Sequence, residues 1–99
     1  MFKKKWELNF EGHQIVAENW WNLIMKTGEK LTIDGNVVDE HTGWFSLSKE
    51  LQGKISSEGK TDHVSAKFGS DEFGIKTGCH IFVNGNLLGG DTETKLLFK

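Results

Sequence analysis

Proline, arginine and tyrosine are all missing from this 99-residue chain, and cysteine occurs once. Each absence excludes something. Without arginine, all 12 basic residues are lysine. The planar fork that grips phosphate, carboxylate and guanine edges in pairs is therefore not available. That argues against sequence-specific nucleic-acid reading and tight phosphate binding. A net charge of −2 adds no field to draw in polyanions or membranes. Cys79 alone cannot form an intramolecular disulfide. Long apolar runs are absent too: the longest are three residues, as in Ile81-Phe82-Val83. No segment spans a bilayer as a helix. Lys3-Lys4-Lys5 resembles the charged start of a signal peptide, but no apolar stretch of about 7–15 residues follows it. The expected compartment is the cytoplasm.

What the chain does have is a repeat. Gly28 to Glu40 reads G-E-K-L-T-I-D-G-N-V-V-D-E, and 50 residues on, Gly78 to Gly90 reads G-C-H-I-F-V-N-G-N-L-L-G-G. Asp34-Gly35 and Asn84-Gly85 lie between apolar runs. Such dipeptides are the strongest short-range hairpin signal, because a two-residue type I′ turn needs positive φ at both positions. Two equivalent hairpins follow. Glycine occurs 12 times and turn residues recur every 8–12 positions or so, the spacing of a sandwich or barrel. At 36% hydrophobic and 26% charged, the chain is apolar enough to fold as one domain over residues 1–99.

Alternation supplies the strands. Trp6, Leu8 and Phe10 share one face of a first strand, and His13, Ile15 and Ala17 one face of a second. Residues 19–27 fit a bulged strand, a loop tucked over the sandwich end or one helical turn, with an irregular strand the preferred reading. Separate strands are expected over Gly43 to Leu47, around Leu51-Gly53-Ile55 and around Val64-Ala66-Phe68, with a tight turn at Gly69 to Glu72. In the hairpins, Leu31 should face Val38 and Ile81 should face Leu88 on the core side, with Thr32/Val37 and Phe82/Leu87 on the other. The second hairpin is thus apolar on both faces and needs cover. The tail Leu96-Leu97-Phe98, the Trp20–Met25 segment and a second copy of the chain are the candidates. Trp6-x-Leu8-x-Phe10 resembles Val64-x-Ala66-x-Phe68, which suggests two strand–strand–hairpin halves joined by strands around Phe45 and Ile55. The expected fold class is an all-β antiparallel β-sandwich of eight to ten strands with two pseudo-repeated hairpins, residues 90–99 forming a covering tail.

Trp6 to Ile15, Gly28 to Glu40, Leu51 to Ile55 and Cys79 to Gly85 together resemble a group of small uncharacterised bacterial β-sandwich proteins. These share a W-x-L/F-x-F-x-G-H-x-I start, a G-x-K-L-x-I/V-D-G hairpin, an L-x-G-K-I strand and a closing C-x-I-F/Y-V-D/N-G hairpin. The strand–turn pattern is also similar to the β-sandwich domains of Fas apoptosis inhibitory molecule. Both resemblances imply a compact antiparallel sandwich. Neither implies catalytic or binding residues.

Side chains that carry chemistry are sparse. His13, His41, His63, His80 and Cys79 include no pair at zinc-ligand spacing. Cys79 and His80 are adjacent on a strand and point to opposite faces. Cys79 with a histidine and Asp62 or Asp91 would be the minimal nucleophilic set, but a core-facing thiol lacks the exposure it needs. No nucleophile elbow or Walker loop is present. Asp39-Glu40 and Asp71-Glu72 are acids at turns. No enzyme, metal or cofactor is expected. Two binding readings remain. In the first, the chain is a protein-interaction or self-association module using Phe82 and Leu87, its partner another protein or a homodimer. In the second, it binds a carbohydrate or small ligand through Trp20, Trp21 and Trp44, because exposed indoles beside Asn and Asp can stack on sugar rings.

Overall fold

Four x-Gly dipeptides set the architecture. Glu11-Gly12, Asp34-Gly35, Glu58-Gly59 and Asn84-Gly85 all place both residues at positive φ, between 48° and 83°. This is the type I′ geometry, whose twist matches that of the strands it joins. The computed structural model describes residues 2–22, 24, 26–44, 49–70 and 77–90. These form two four-stranded antiparallel sheets, each a simple meander. The first holds β1 (Phe2–Phe10), β2 (His13–Trp21), β3 (Lys26–Ile33) and β4 (Asn36–Trp44). The second holds β5 (Lys49–Ser57), β6 (Lys60–Ser70), β7 (Thr77–Val83) and β8 (Asn86–Gly90). The fold is an all-β sandwich, and no helix among the described residues is long and apolar enough to cross a membrane.

The two sheets are copies in register as well as in order. Ile15 pairs with Ile33 in the first, and Val64 with Val83 in the second. In each, the turn residue before glycine ties its hairpin to the neighbouring strand. Asp34 N–H donates to the Gln14 carbonyl, and Gln14 N–H donates to Asp34 Oδ1, both at 2.9 Å. Asn84 N–H donates to the His63 carbonyl at 2.7 Å, and His63 N–H donates to Asn84 Oδ1 at 2.9 Å. Asp and Asn tolerate positive φ and carry a side-chain acceptor for a neighbouring amide. Glutamate at the other two turns shows no such bond among the described contacts.

Half-equivalence differs from the alternation-based reading. The strand matching Trp6, Leu8 and Phe10 is β5, with Leu51, Gly53 and Ile55, because Leu8 pairs with Ile15 as Gly53 pairs with Val64. The strand around Ile55 therefore opens the second half and is not a joining element. Gly43 belongs to the continuous β4, with no separate strand beginning there. The stretch 19–27 is no irregular strand. It holds the end of β2 and the start of β3, and between them Asn22 Oδ1 accepts the amides of Ile24 and Lys26, each at 3.1 Å. Gly69 and Ser70 extend β6 where a turn was expected. The Phe45 strand, Asp71-Glu72 and the tail over residues 91–99 lie outside the described residues.

The hairpin pairing also departs from expectation, identically in both halves. Thr32 faces Val37, but Leu31 faces Asp39, so Val38 is an extra residue in β4. Phe82 faces Leu87, but Ile81 faces Gly89, so Leu88 is the extra residue in β8. A bulge of this kind re-aims a side chain. Leu31 and Ile81 are fully buried, while Val38 and Leu88 are 39% and 40% exposed.

Between the sheets lies a core of Trp6, Ile15, Ala17, Leu31, Ile33, Leu51, Ile55, Val64, Ala66, Phe68, Cys79, Ile81 and Val83. Trp6 and Phe68 meet edge to face across it at 6.0 Å. Each fully buried Leu, Ile or Phe contributes about 1.5–3 kcal/mol relative to exposure. The sheets close on each other at two seams. At one, Val38 Cγ2 lies only 2.6 Å from where a Cβ on Gly53 would stand, and Asp39 Oδ2 accepts the Gln52 amide at 3.0 Å. At the other, Leu8 Cδ2 lies 2.7 Å from the corresponding point on Gly89.

Candidate functional site

The inward residues of β5 to β8 make the core, so their alternate partners compose an outward face. One row of that face runs Gln52–Ser65–Phe82–Leu87 across all four strands. Phe82 is half-buried, with the His80 ring edge-on at 6.4 Å and the Lys67 ammonium 5.2 Å from its ring centre. Leu87 is 50% exposed, and Leu88, the extra residue opposite Ile81, is 40% exposed. The sequence-based pair Phe82/Leu87 is thus brought together.

Beside this apolar strip is a cleft of about 280 Å³, lined among others by Gln52, Lys54, His63, Ser65 and Gly85. It opens where the small Ser65 lies between longer neighbours. Glu50 borders it, held by the Gln52 side-chain amide at 2.8 Å and by Lys67 at 3.7 Å. The face therefore combines an exposed aliphatic, one half-buried ring, a polar hollow, and lysines at 54 and 67 against a single carboxylate among its described residues. Adjoining apolar and polar groups of this kind characterise recognition surfaces.

Trp20 and Trp21 do not share a face. Trp20 and Trp21 project to opposite faces of β2, both half-buried. The Trp20 indole covers Gly28, its cross-strand partner. A Cβ there would stand 2.2 Å from Nε1 and 2.3 Å from Cε2, so the ring takes the space that only glycine leaves open. An aromatic laid over a strand glycine shields the exposed backbone. Trp44 ends β4 opposite Lys26, and its side chain lies outside the described residues. Nearby on the outer face of the first sheet, Glu18 is bonded by Lys3 at 2.9 Å and flanked by Lys30 at 3.8 Å. Burial works to raise its pKa, but the Lys3 bond and the charges of Lys30, Lys3 and Lys5 outweigh it, so its pKa lies below the ordinary 4.5.

A polar layer inside the first sheet was not anticipated. Asn19 and Glu29 face inward, and Asn19 Nδ2 donates to the Gly28 carbonyl at 3.1 Å. The Glu29 side chain is 1% exposed, with His41 Nδ1 at 3.3 Å. The corresponding inward residues of the second half are Phe68 and Cys79. Glu29 shares the parity of Leu31 and Ile33, and that signal places it inside.

Cys79 is fully buried beside Ile81 in the core, and His80 lies on the outward face. His13 is bonded to Asp34 at 2.6 Å, a contact that leads the causes lowering the Asp34 pKa, ahead of the Gln14 amide. Asp62 accepts the Asn84 amide at 2.8 Å, and Asp39 is committed to Gln52. Asp91 lies outside the described residues. Among those described, no group of three or more His, Cys, Asp or Glu is placed to hold a metal ion. A second cleft of about 340 Å³ opens at the tight-turn end between Glu11, His13, Glu58, Lys60 and Asp62. Lys60 spans it, 3.2 Å from Glu11. No protein-family model, curated protein or solved structure matches the chain.

Proposed function

We propose that the chain is a non-catalytic protein-interaction module of the cytoplasm, and that it binds through the outer face of β5–β8. The observation that carries this reading is the Phe82/Leu87 pair beside the Ser65 cleft. Aliphatic side chains half in water gain from a partner that removes them from it, at about 25 cal/mol per Å² of apolar surface covered. The adjoining hollow accepts a projecting side chain and fixes its register. The first half offers less at the matching positions, with Thr32 where the second half has Phe82. Non-catalytic binding also accords with a buried Cys79 and with histidines engaged by structural neighbours.

The test is selection of displayed peptides on the immobilised chain, repeated with Phe82→Lys and with Leu87→Lys after circular dichroism has verified the fold. Binders that lose affinity tenfold or more, roughly 1.4 kcal/mol, on both variants support the reading. Binders indifferent to both, or no binders from a diverse library, overturn it.

A further inference from the structure

Charge on this face narrows the partner. Lys54 and Lys67 stand outward on β5 and β6 around the apolar strip, with His63 and His80 on the same side. Glu50 is the carboxylate of the face, and it is already taken up by Lys67 at 3.7 Å and by Gln52. The Lys67 ammonium also lies 5.2 Å from the Phe82 ring centre, so positive charge sits directly on the apolar anchor. A second copy of the chain docked face to face would set two faces of the same net sign, each with Lys54 and Lys67 against one carboxylate, opposite each other. Juxtaposed like charges disfavour such a pairing.

Resting on the module reading above, we infer that the partner is an acidic protein segment: an aliphatic or aromatic anchor seated against Phe82 and Leu87, flanked by carboxylates that reach Lys54 and Lys67. The anchor supplies desolvation, and the carboxylates supply selection against basic segments.

Two synthetic peptides decide it, one with a Leu-Phe-Leu anchor between glutamates and one with lysines replacing the glutamates. Both are titrated into the full chain and followed by amide NMR at low and at high salt. The acidic peptide should bind at least about tenfold tighter at low salt, shifting amides of β6 to β8. Salt and the double variant Lys54→Glu/Lys67→Glu should each erase that preference. Equal binding of both peptides at this face overturns the acidic-partner inference and leaves the module intact. Failure of both peptides, together with an empty display selection, removes the module itself. A concentration-dependent dimer in sedimentation, broken by Leu87→Lys, replaces the acidic segment with a second copy.

Discussion

Asn84 concentrates enough interactions to test the account of the turns quantitatively. Its backbone is held at φ 52°, its Oδ1 accepts the His63 amide, and its Nδ2 donates to Asp62, whose side chain is only 7% exposed. Asn84→Ala removes all three advantages. A non-glycine residue without a helping side chain costs about 1 kcal/mol in the left-handed region. The lost amide bond costs about 1 kcal/mol, and the lost bond to a mostly buried carboxylate about 2 kcal/mol. The expected total is roughly 4 kcal/mol, a fall in Tm of roughly 15–30 °C for a chain of this size. Asn84→Gly keeps the backbone conformation and loses only the side-chain bonds, so it should be about 1 kcal/mol less damaging. Asn84→Asp keeps the turn and the acceptor but sets a second carboxylate against Asp62, so it should cost more than the roughly 2 kcal/mol of the lost bond alone. Urea unfolding followed by tryptophan fluorescence measures all three. Equal losses for Ala and Gly would show that the conformation contributes nothing, and a loss below about 1 kcal/mol for Ala would refute the clamp altogether.

Phe68→Ala should cost about 3–5 kcal/mol, because Phe68 is 1% exposed against Trp6 and the opened space cannot collapse; denaturant midpoints check it. Glu18 and Asp34 both have folded pKa values below their ordinary 4.5 and 3.8. Their stabilisation is therefore fully present above about pH 4.5 and lost as pH falls through the lowered folded values. Unfolding scans should show that acid loss reduced in Glu18→Gln and in Asp34→Asn; an unchanged pH profile would contradict it. Cys79, at 0% exposure, should react with a thiol reagent only at the rate of opening, orders of magnitude slower than in denaturant. Gly28→Val should displace the Trp20 indole and shift its fluorescence, since a Cβ there falls 2.2 Å from Nε1.

The two hairpins were legible because Asp-Gly and Asn-Gly leave the backbone few alternatives. The inward sets Ile15/Ala17, Val64/Ala66/Phe68 and Cys79/Ile81/Val83 followed from parity alone. Parity fails where two aliphatics are adjacent. Val37-Val38 and Leu87-Leu88 fit either register, and the bulge that decides between them is set by the neighbouring strand and seam, not by local pattern. The same ambiguity allowed Trp6-x-Leu8-x-Phe10 to be matched with β6. Only the ladder shows that it corresponds to Leu51-x-Gly53-x-Ile55, with glycine where leucine stands. Of the candidate site, Phe82 and Leu87 could be read from the face opposite the core. The cleft over Ser65 could not, because it arises from side chains on two strands and a turn of a third element.

The exchanged positions of bulk and glycine at the seams constrain how such a molecule can assemble. Val38 is a knob that needs the hollow at Gly53, and Leu8 a knob that needs the hollow at Gly89. Leu8 occupies in the first half the place Gly53 occupies in the second. Two first halves brought together would therefore press Val38 upon Leu8, knob against knob. The duplicated halves have become a lock and its key. Each is shaped to its counterpart and not to its own likeness, so the contact sets one first half against one second half.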